Sequence, residues 1–477
     1  MRKPRPGAGL HPLLLWILCC AAATTVAAQA PRTLRVDYLH TGGQGIEVFA
    51  LERVVVEPTP WPGPPDRRLD DTNLGKYRFE VVDRSTREVL YSRGFASIYG
   101  EWETTGEQEV LNRTFAESLR FPMPDAPVQV TISKRDRAND FVEVWSVVVE
   151  PSDMLVDRAA PPSAGPVIPL QDSGPPAEKV DFLILGDGYV AAERAKCEAD
   201  ARRLMELLFE VEPFRSRRAD FNVWGLCPVA AESGISRPSQ GIHRRSPAGA
   251  TYDAFRSERY VLTFDNRAWR DLASQAPYEF VEIVTNTRTY GGGGIFGQFA
   301  TVAADSFWAP YIFVHEFGHH FAALADEYYT SDVAYEAAAE RLEPWEPNVT
   351  ALHDPERLKW RDLVEAGTPL PTPWRKQEFE EYARGIQAER RQIRAENRPE
   401  DEMDALLLRQ REREEAELGA ERFAGKVGAF EGANYEALGF YRPQADCRMF
   451  TRDRVPFCAV CRRALERVID LYAGPGR

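Results

Sequence analysis

The sequence predicts a multi-domain protein in which an N-terminal β-sandwich precedes an α/β (α+β) domain with a helical insertion. Three observations favour this fold class. Residues 31–155 contain short runs of β-branched and aromatic residues separated by Pro, Gly, Asn and Asp. From residue 180 onward, buried-strand patterns alternate with amphipathic helical patterns. Residues 375–423 form a highly charged helical stretch that is interrupted at Pro399.

Length and composition limit the class of protein. The chain has 477 residues, of which 44% are hydrophobic, and this fraction excludes a wholly disordered chain. At about 100–200 residues per domain, the length predicts several domains. The net charge of −14 argues against nucleic acid as the main partner, because phosphate contacts require a basic surface.

Residues 1–28 have the features of an export signal. Basic residues at the start precede the apolar stretch 13–23, and a run of small residues ends at Ala28. The apolar stretch is shorter than the roughly 20 residues that a membrane-spanning helix needs. We therefore expect cleavage after Ala28, no transmembrane span, and a secreted or periplasmic protein.

The predicted β-domain occupies residues 31–155. Segments such as LRVDYLH, YRFEVVD and FVEVWSVVVE have strand patterns, and the close spacing of these short strands predicts a β-sandwich. The following residues, 156–179, are rich in Pro, Ser and Gly and predict a linker.

Residues 180–477 form the predicted α/β domain. VDFLILGDGYV, FNVWGLCPVA and YEFVEIVTNT have strand patterns, and an amphipathic helix follows the first of them. Four consecutive glycines at 291–294 predict either a rim strand that substrate backbone approaches closely or a plain surface loop. The charged stretch 375–423 predicts an exposed helical hairpin, which either binds a partner or presents a solvated face.

The cysteines are odd in number once the signal is removed. The remaining ones are Cys197, Cys227, Cys447, Cys458 and Cys461. At least one thiol is therefore left outside any intramolecular disulfide. A zinc site formed by the last three cysteines would need a fourth ligand, which the sequence does not identify.

The strongest chemical signal is the pattern His-Glu-x-x-His in YIFVHEFGHHFAALADEYY. On a helix His315 and His319 share one face, so that both imidazoles reach one zinc ion. Glu316 lies about 100° around the helix and faces a zinc-bound water. Zinc lowers the pKa of that water to about 7, and Glu316 takes its proton to yield a hydroxide nucleophile.

The third zinc ligand is ambiguous on spacing alone. On a continuous helix Asp326 would lie about 10 Å along the axis from His319, which is too far for a shared zinc. Zinc peptidases with the longer form of this motif have glycine where the chain turns. This chain has alanines there, and alanine favours continuation of the helix. Glu336 and Glu340, from a following helix, are the alternative ligands.

Further segments match one family in order along the chain. They include LRVDYLHTG, NLGKYRFEVVD and YSRGFASIYGEWETT in the β-rich part, then KVDFLILGDGY, GGGGIFGQFATVAADS, HEFGHHFAALADEYY, VGAFEGANYEALGFYRPQADCRM and FCAVC. Through these segments the chain resembles the bacterial zinc IgA-peptidase family, a metzincin-like group of secreted metallopeptidases. The resemblance covers nearly the whole chain after the export signal and implies a metzincin-like fold for residues 180–477.

The resemblance also implies roles for individual residues. It implies three zinc ligands and a general base, which are His315, His319, Asp326 and Glu316. It further implies that Met449, in ADCRMF, forms a methionine turn beneath the zinc. Tyr441, in GFYRP, is a candidate donor to the oxyanion of the reaction, and a packed tyrosine is the alternative.

The leading hypothesis is a secreted or periplasmic zinc endopeptidase that cleaves a protein or peptide substrate. One alternative is a protein that binds a glycan or protein through its β-domain and carries a non-catalytic zinc domain. Glu316 argues against it, since a structural zinc site has no use for a base. The other alternative is a zinc amidase that acts on cell-wall peptides. The sequence does not identify the natural substrate, whether immunoglobulin A or another.

Overall fold

The fold was analysed in a computed structural model, which describes Met1 and residues 30–331, 333–336 and 340–476. The predicted export signal lies outside the described residues except for Met1, and so does the predicted cleavage after Ala28. Among the described residues, no helix combines the length and apolar character required to cross a membrane.

The N-terminal region is rich in strands, as the sequence predicts. Its elements are β1 (Arg32–Gly43), β2 (Ile46–Pro60), β3 (Tyr77–Asp83), β4 (Val89–Phe95), α1 (Ile98–Trp102), β5 (Arg113–Pro122), β6 (Val128–Arg135) and β7 (Phe141–Val149). Two antiparallel sheets, with strand orders β2-β1-β5 and β4-β3-β6-β7, share one hydrophobic core that includes Val36, Phe79 and Val130.

A mixed α/β region follows, also as predicted. Its strands are β8 (Ile168–Gln171), β9 (Val180–Asp187), β10 (Phe221–Leu226), β11 (Ala250–Thr251), β12 (Leu262–Thr263), β13 (Phe280–Thr285), β14 (Gly292–Ile295), β15 (Phe299–Ala303), β16 (Phe430–Ala433) and β17 (Glu436–Arg442). The main sheet has the order β14-β15-β13-β9-β10-β8. Its four inner strands are parallel, and both edge strands are antiparallel. Every residue of β9 is buried, as expected for an inner parallel strand.

The α/β region also contains helices. They are α2 (Arg194–Leu208), α3 (Asn266–Ala273), α4 (Ala309–Ala322), α5 (Lys376–Ala395), α6 (Glu400–Gly419) and α7 (Ala459–Ala473). Helix α4 lies in the largest core cluster, with Phe317 in contact with Phe182 of β9 at a ring-centroid distance of 4.7 Å. A disulfide between Cys197 and Cys227 joins α2 to the segment after β10.

The β-rich and α/β regions form one compact unit over residues 31–477. Buried Arg35 of β1 reaches Asp271 of α3 at 2.5 Å, and the Asn266 side-chain amide donates to the Ser118 hydroxyl at 2.7 Å. Strand β8 falls within residues 156–179, the predicted linker, and pairs with β10. Part of that stretch therefore belongs to the main sheet.

The charged stretch 375–423 is a helical hairpin that is exposed on one face and buried on the other. Helices α5 and α6 bury one face in the same core cluster as α4, through residues such as Phe379, Ile386 and Leu406. Charged residues of the hairpin also form ion pairs outside it. The Arg390 guanidinium lies 2.8 Å from the Glu258 carboxylate. The apolar residues recur at helical spacing between the charges, and this amphipathic pattern explains the packing.

Candidate metal centre

Helix α4 positions His315, Glu316 and His319. A proline in its first turn suits the start of a helix, and the apolar residues before His315 anchor the helix in the core. One helical turn separates the two histidines, and their Nε2 atoms lie 3.2 Å apart.

The helix ends at Ala322, and the chain then turns sharply. Ala323 adopts the left-handed conformation, with φ 55° and ψ 33°. The turn returns Asp326 to the histidines, where its Oδ1 lies 3.0 Å from Nε2 of His315 and 3.3 Å from Nε2 of His319. The alanines do not extend the helix here, although local propensity favours extension.

Buried Asn348 stabilises this turn. Its side-chain oxygen accepts from the Ala325 amide at 2.8 Å, and its Nδ2 donates to the Ala325 carbonyl at 2.9 Å. The His319 ring also donates from Nδ1 to the Leu324 carbonyl. The structure thus assigns a positioning role to Asn348, which the sequence analysis missed because its partner is distant in sequence.

Because Ala323 has a left-handed conformation, substitution by glycine is expected to have different effects at Ala323 and at its neighbour Ala322. Ala322→Gly is expected to lower the free energy of unfolding by about 2 kcal/mol, because glycine is a poor helix residue and the methyl group of buried Ala322 is lost. Ala323→Gly is expected to leave it equal or higher, because relief of about 1–2 kcal/mol of left-handed strain offsets about 0.8 kcal/mol of lost methyl burial. Denaturant unfolding of both variants measures the difference. Equal losses would contradict the strained turn.

The three converging atoms fit a metal ion. Ligands at about 2.0–2.1 Å around a tetrahedral zinc lie about 3.3 Å from each other, close to the separations observed here. Both Nδ1 atoms donate to backbone carbonyls, of Arg448 and Leu324, which leaves the lone pairs of both Nε2 atoms free to bind a metal. Buried Oδ1 of Asp326 contacts the same two Nε2 atoms, so that one cation between the three atoms would bind all of them.

The ionisable side chains of the site have pKa values that shift in different directions. Burial raises the pKa of Glu316. For His319, burial opposes protonation, but the adjacent Asp326 carboxylate outweighs it and raises the pKa to about 9 in the metal-free protein. Burial lowers the pKa of His320 to about 3. His320 accepts from the Val281 amide and donates to the Ile295 carbonyl, both at 3.1 Å, and so it joins the sheet to α4.

The glycines of β14 allow the sheet edge to approach α4. A Cβ atom added to Gly292 would lie 2.5 Å from Cγ2 of Ile312, and one added to Gly294 would lie 2.4 Å from the Glu316 carbonyl oxygen. The contact with α4 therefore leaves no room for side chains at these two positions of β14. The rim-strand prediction for residues 291–294 agrees with β14, and the close approach observed is to α4.

A cleft of about 580 Å³ opens over the three converging side chains. Its walls come from the β-rich region, the main sheet, and the helical hairpin, as shown by Glu101, Gly294 and Glu414 respectively. All three parts of the chain therefore face the same space.

The structure brings Tyr435, and not Tyr441, into contact with Asp326. Tyr441 lies on β17 with its side chain near Glu431, and it is not among the described residues that line the cleft. Its candidacy as an oxyanion donor is thus not supported by its position, because the strand directs it away. Tyr435 lines the cleft, and its hydroxyl donates to Oδ2 of Asp326 at 2.6 Å.

Three further residues were named from the sequence, and the structure places them differently with respect to the histidines. Met449 is fully buried, and its sulfur would lie 3.2 Å from a Cβ added to Gly318, between the two histidines. Glu340 instead pairs with Arg137 at 3.1 Å. Glu336 lines the cleft, and the group of potential ligands within 4.8 Å of one another there comprises, among the described residues, His315, Glu316 and His319.

Comparison with known proteins agrees with these observations. Residues 168–469 match the family model described as IgA Peptidase M64, and residues 27–146 match the model described as Peptidase M64 N-terminus. No curated protein matches the chain. The first match alone covers more than half of the sequence, so the chain belongs to the IgA peptidase M64 family and is a metallopeptidase.

Proposed function

We propose that the protein is a zinc-dependent endopeptidase whose metal is held by His315, His319 and Asp326. The observation that carries this proposal is the convergence of their three ligand atoms to separations of 3.0–3.3 Å at the cleft. A bound zinc ion supplies Lewis-acid polarisation of the peptide carbonyl and a lowered pKa for coordinated water. Histidine nitrogens with one carboxylate are ligands that zinc accepts in catalytic sites.

Glu316 is the proposed general base. It lines the cleft, and its carboxylate lies within 4.8 Å of ligand atoms of His315 and His319. In the proposed reaction it accepts a proton from the attacking water and returns that proton to the departing amine nitrogen. Asp326 is itself held by Tyr435, which we propose as a positioning residue for the ligand set.

Tyr435→Phe is expected to lower kcat by about 10–100-fold, the range typical of groups that orient a metal ligand. Tyr441→Phe removes the same hydroxyl from the neighbouring strand and is expected to behave like wild type. Steady-state kinetics with a fluorogenic peptide, together with zinc analysis of both proteins, measures the difference. If Tyr441→Phe lowers kcat and Tyr435→Phe does not, the result would instead support Tyr441, the tyrosine predicted from the sequence.

The finer fold and domain limits are also proposals. We assign residues 31–155 to a β-sandwich domain and residues 180–477, together with strand β8, to a metzincin-like peptidase domain, with the rest of 156–179 as a connecting segment. Supporting the peptidase-domain assignment, Met449 lies beneath the histidines, and the Arg448 carbonyl accepts from Nδ1 of His315 at 3.0 Å. We assign Met449 to the methionine turn of that fold.

Secretion or periplasmic export through signal residues 1–28 belongs to the same proposal. The Cys197–Cys227 disulfide supports it, because such bonds persist mainly outside the reducing cytoplasm.

The substrate class can be tested by profiling new N-termini. A protein mixture that includes immunoglobulin A is incubated with wild type, with Glu316→Gln, and with wild type plus 1,10-phenanthroline. New internal N-termini that appear only with untreated wild type support the endopeptidase. Absence of new termini together with cleavage of cell-wall peptides would favour the amidase instead.

A further inference from the structure

A second group of potential metal ligands lies behind the cleft. Cys447, Cys458 and Cys461 meet Glu327, and their ligand atoms all lie within 4.8 Å of one another. All four residues are buried. The fold thus supplies a fourth potential ligand to the three cysteines, and that ligand is the residue directly after Asp326.

The separations fit one tetrahedral metal ion. Sγ of Cys447 lies 3.8 Å from Sγ of Cys461, and Oε1 of Glu327 lies 3.2 Å from Sγ of Cys461. A zinc ion with Zn–S bonds of about 2.3 Å and a Zn–O bond of about 2.1 Å sets these separations at about 3.8 and 3.6 Å. None of the three cysteines forms a disulfide within the described part of the chain.

Backbone amides donate to two sulfur atoms of the cluster. The backbone amides of Cys458 and Met449 donate to Sγ of Cys447 at 3.2 and 3.5 Å, and the Cys461 amide donates to Sγ of Cys458 at 3.4 Å. Cys458 also caps the N-terminus of α7, where the helix dipole favours a thiolate.

Glu327 has one satisfied and one unsatisfied oxygen. The Asn348 side chain donates to Oε1 at 3.0 Å, an outer contact of the kind that orients carboxylate ligands. Buried Oε2 has no hydrogen-bond partner among the described residues. A buried carboxylate oxygen without a partner is costly unless a cation neutralises it.

We propose that Cys447, Cys458, Cys461 and Glu327 bind a structural zinc ion distinct from the one at His315 and His319. Four protein ligands close the coordination sphere, which is the arrangement of structural zinc sites. The Glu327 amide donates to the Met449 carbonyl at 2.8 Å. The second zinc therefore ties the Asp326 loop to the segment beneath the histidines.

Metal analysis of purified full-length protein tests this proposal. Wild type is expected to contain about two zinc ions per chain. Asp326→Ala is expected to retain about one, and Cys461→Ser in the Asp326→Ala background to retain none. One zinc in wild type and none in Asp326→Ala would overturn the second site, and iron in place of zinc would overturn the choice of metal.

Thiol mapping of wild type keeps the test valid if the cysteine variants do not fold. After unfolding with chelator and without reductant, Cys447, Cys458 and Cys461 are expected to react with iodoacetamide. Cys197 and Cys227 serve as an internal control, because they are expected to react only after reduction. A requirement for reductant at any two of the three clustered cysteines would show a disulfide and refute the zinc site.

Cobalt substitution gives a third measurement, in which all four proposed ligands of the second site are kept. Refolding of Asp326→Ala with Co²⁺ is expected to produce the near-ultraviolet charge-transfer absorption of thiolate-bound cobalt. That signal does not depend on histidine ligands or on hydrolysis, so it separates failure of this proposal from failure of the proposed function. Absence of the absorption in protein that refolds with a native circular-dichroism spectrum would count against thiolate coordination.

Discussion

Glu316→Gln is expected to lower kcat/KM for peptide hydrolysis by at least about 10²–10⁴-fold while zinc content stays at the wild-type value. The reason is that glutamine keeps the size of the side chain but cannot accept a proton from water, and general-base catalysis contributes about this factor. The proposed ligands are His315, His319 and Asp326, so that neutralising Glu316 leaves those side chains unchanged. Steady-state kinetics and metal analysis on the same preparation measure both quantities.

The matched control for this variant is Glu340→Gln. Glu340 is exposed and pairs with Arg137, and the same loss of charge there is expected to leave activity unchanged. A Glu316→Gln protein that hydrolyses peptides at the wild-type rate would exclude Glu316 as the base. Loss of zinc together with activity would instead show that Glu316 supports the metal.

Asp326→Ala is expected to reduce the zinc affinity of the cleft site by more than about 100-fold and to abolish hydrolysis. Replacing even the partners of metal ligands costs about 10–100-fold in affinity or activity, and Asp326 contributes one of the three converging atoms. Chelator competition measures the affinity. Thermal unfolding offers a second readout, because a saturating metal at 100 times its dissociation constant stabilises the native state by about 2.7 kcal/mol.

Glu336→Ala and Glu340→Ala are the matched controls, since spacing alone admits both residues as ligands. Both variants are expected to retain zinc at the cleft, because the atom that lies 3.0–3.3 Å from both histidines belongs to Asp326. If Glu336→Ala loses that zinc and Asp326→Ala keeps it, the proposed ligand set is wrong.

Some features of the fold were predictable because they depend on short periodic patterns. The strand-rich N-terminal region and the alternation of strands and helices after residue 180 follow from such patterns, and the structure confirms both. The hairpin of α5 and α6 was predictable as two helices from its break near Pro399. Its burial was not, because a count of charges does not show which face the apolar residues Phe379 and Leu406 occupy.

The cleft likewise has features that the sequence predicts and features that it does not. The spacing of His315 and His319 predicts that they share a face, and they do, since four residues make about one helical turn. The left-handed turn at Ala323 contradicts local propensity, and contacts from Asn348, distant in sequence, accompany it. Tyr435 and Tyr441 lie in one hairpin, and only the register of β16 and β17 decides which side chain meets Asp326.

The sequence by itself determined the class of chemistry, because His-Glu-x-x-His is a local pattern whose geometry a single helix provides. It also determined the family, through many matching segments. Only the tertiary structure decided what completes each cluster of ligands. Asp326 joins the histidines through a turn that alanine disfavours, and Glu327 joins cysteines more than a hundred positions away. Such contacts depend on packing between separate elements, which no local spacing or propensity records.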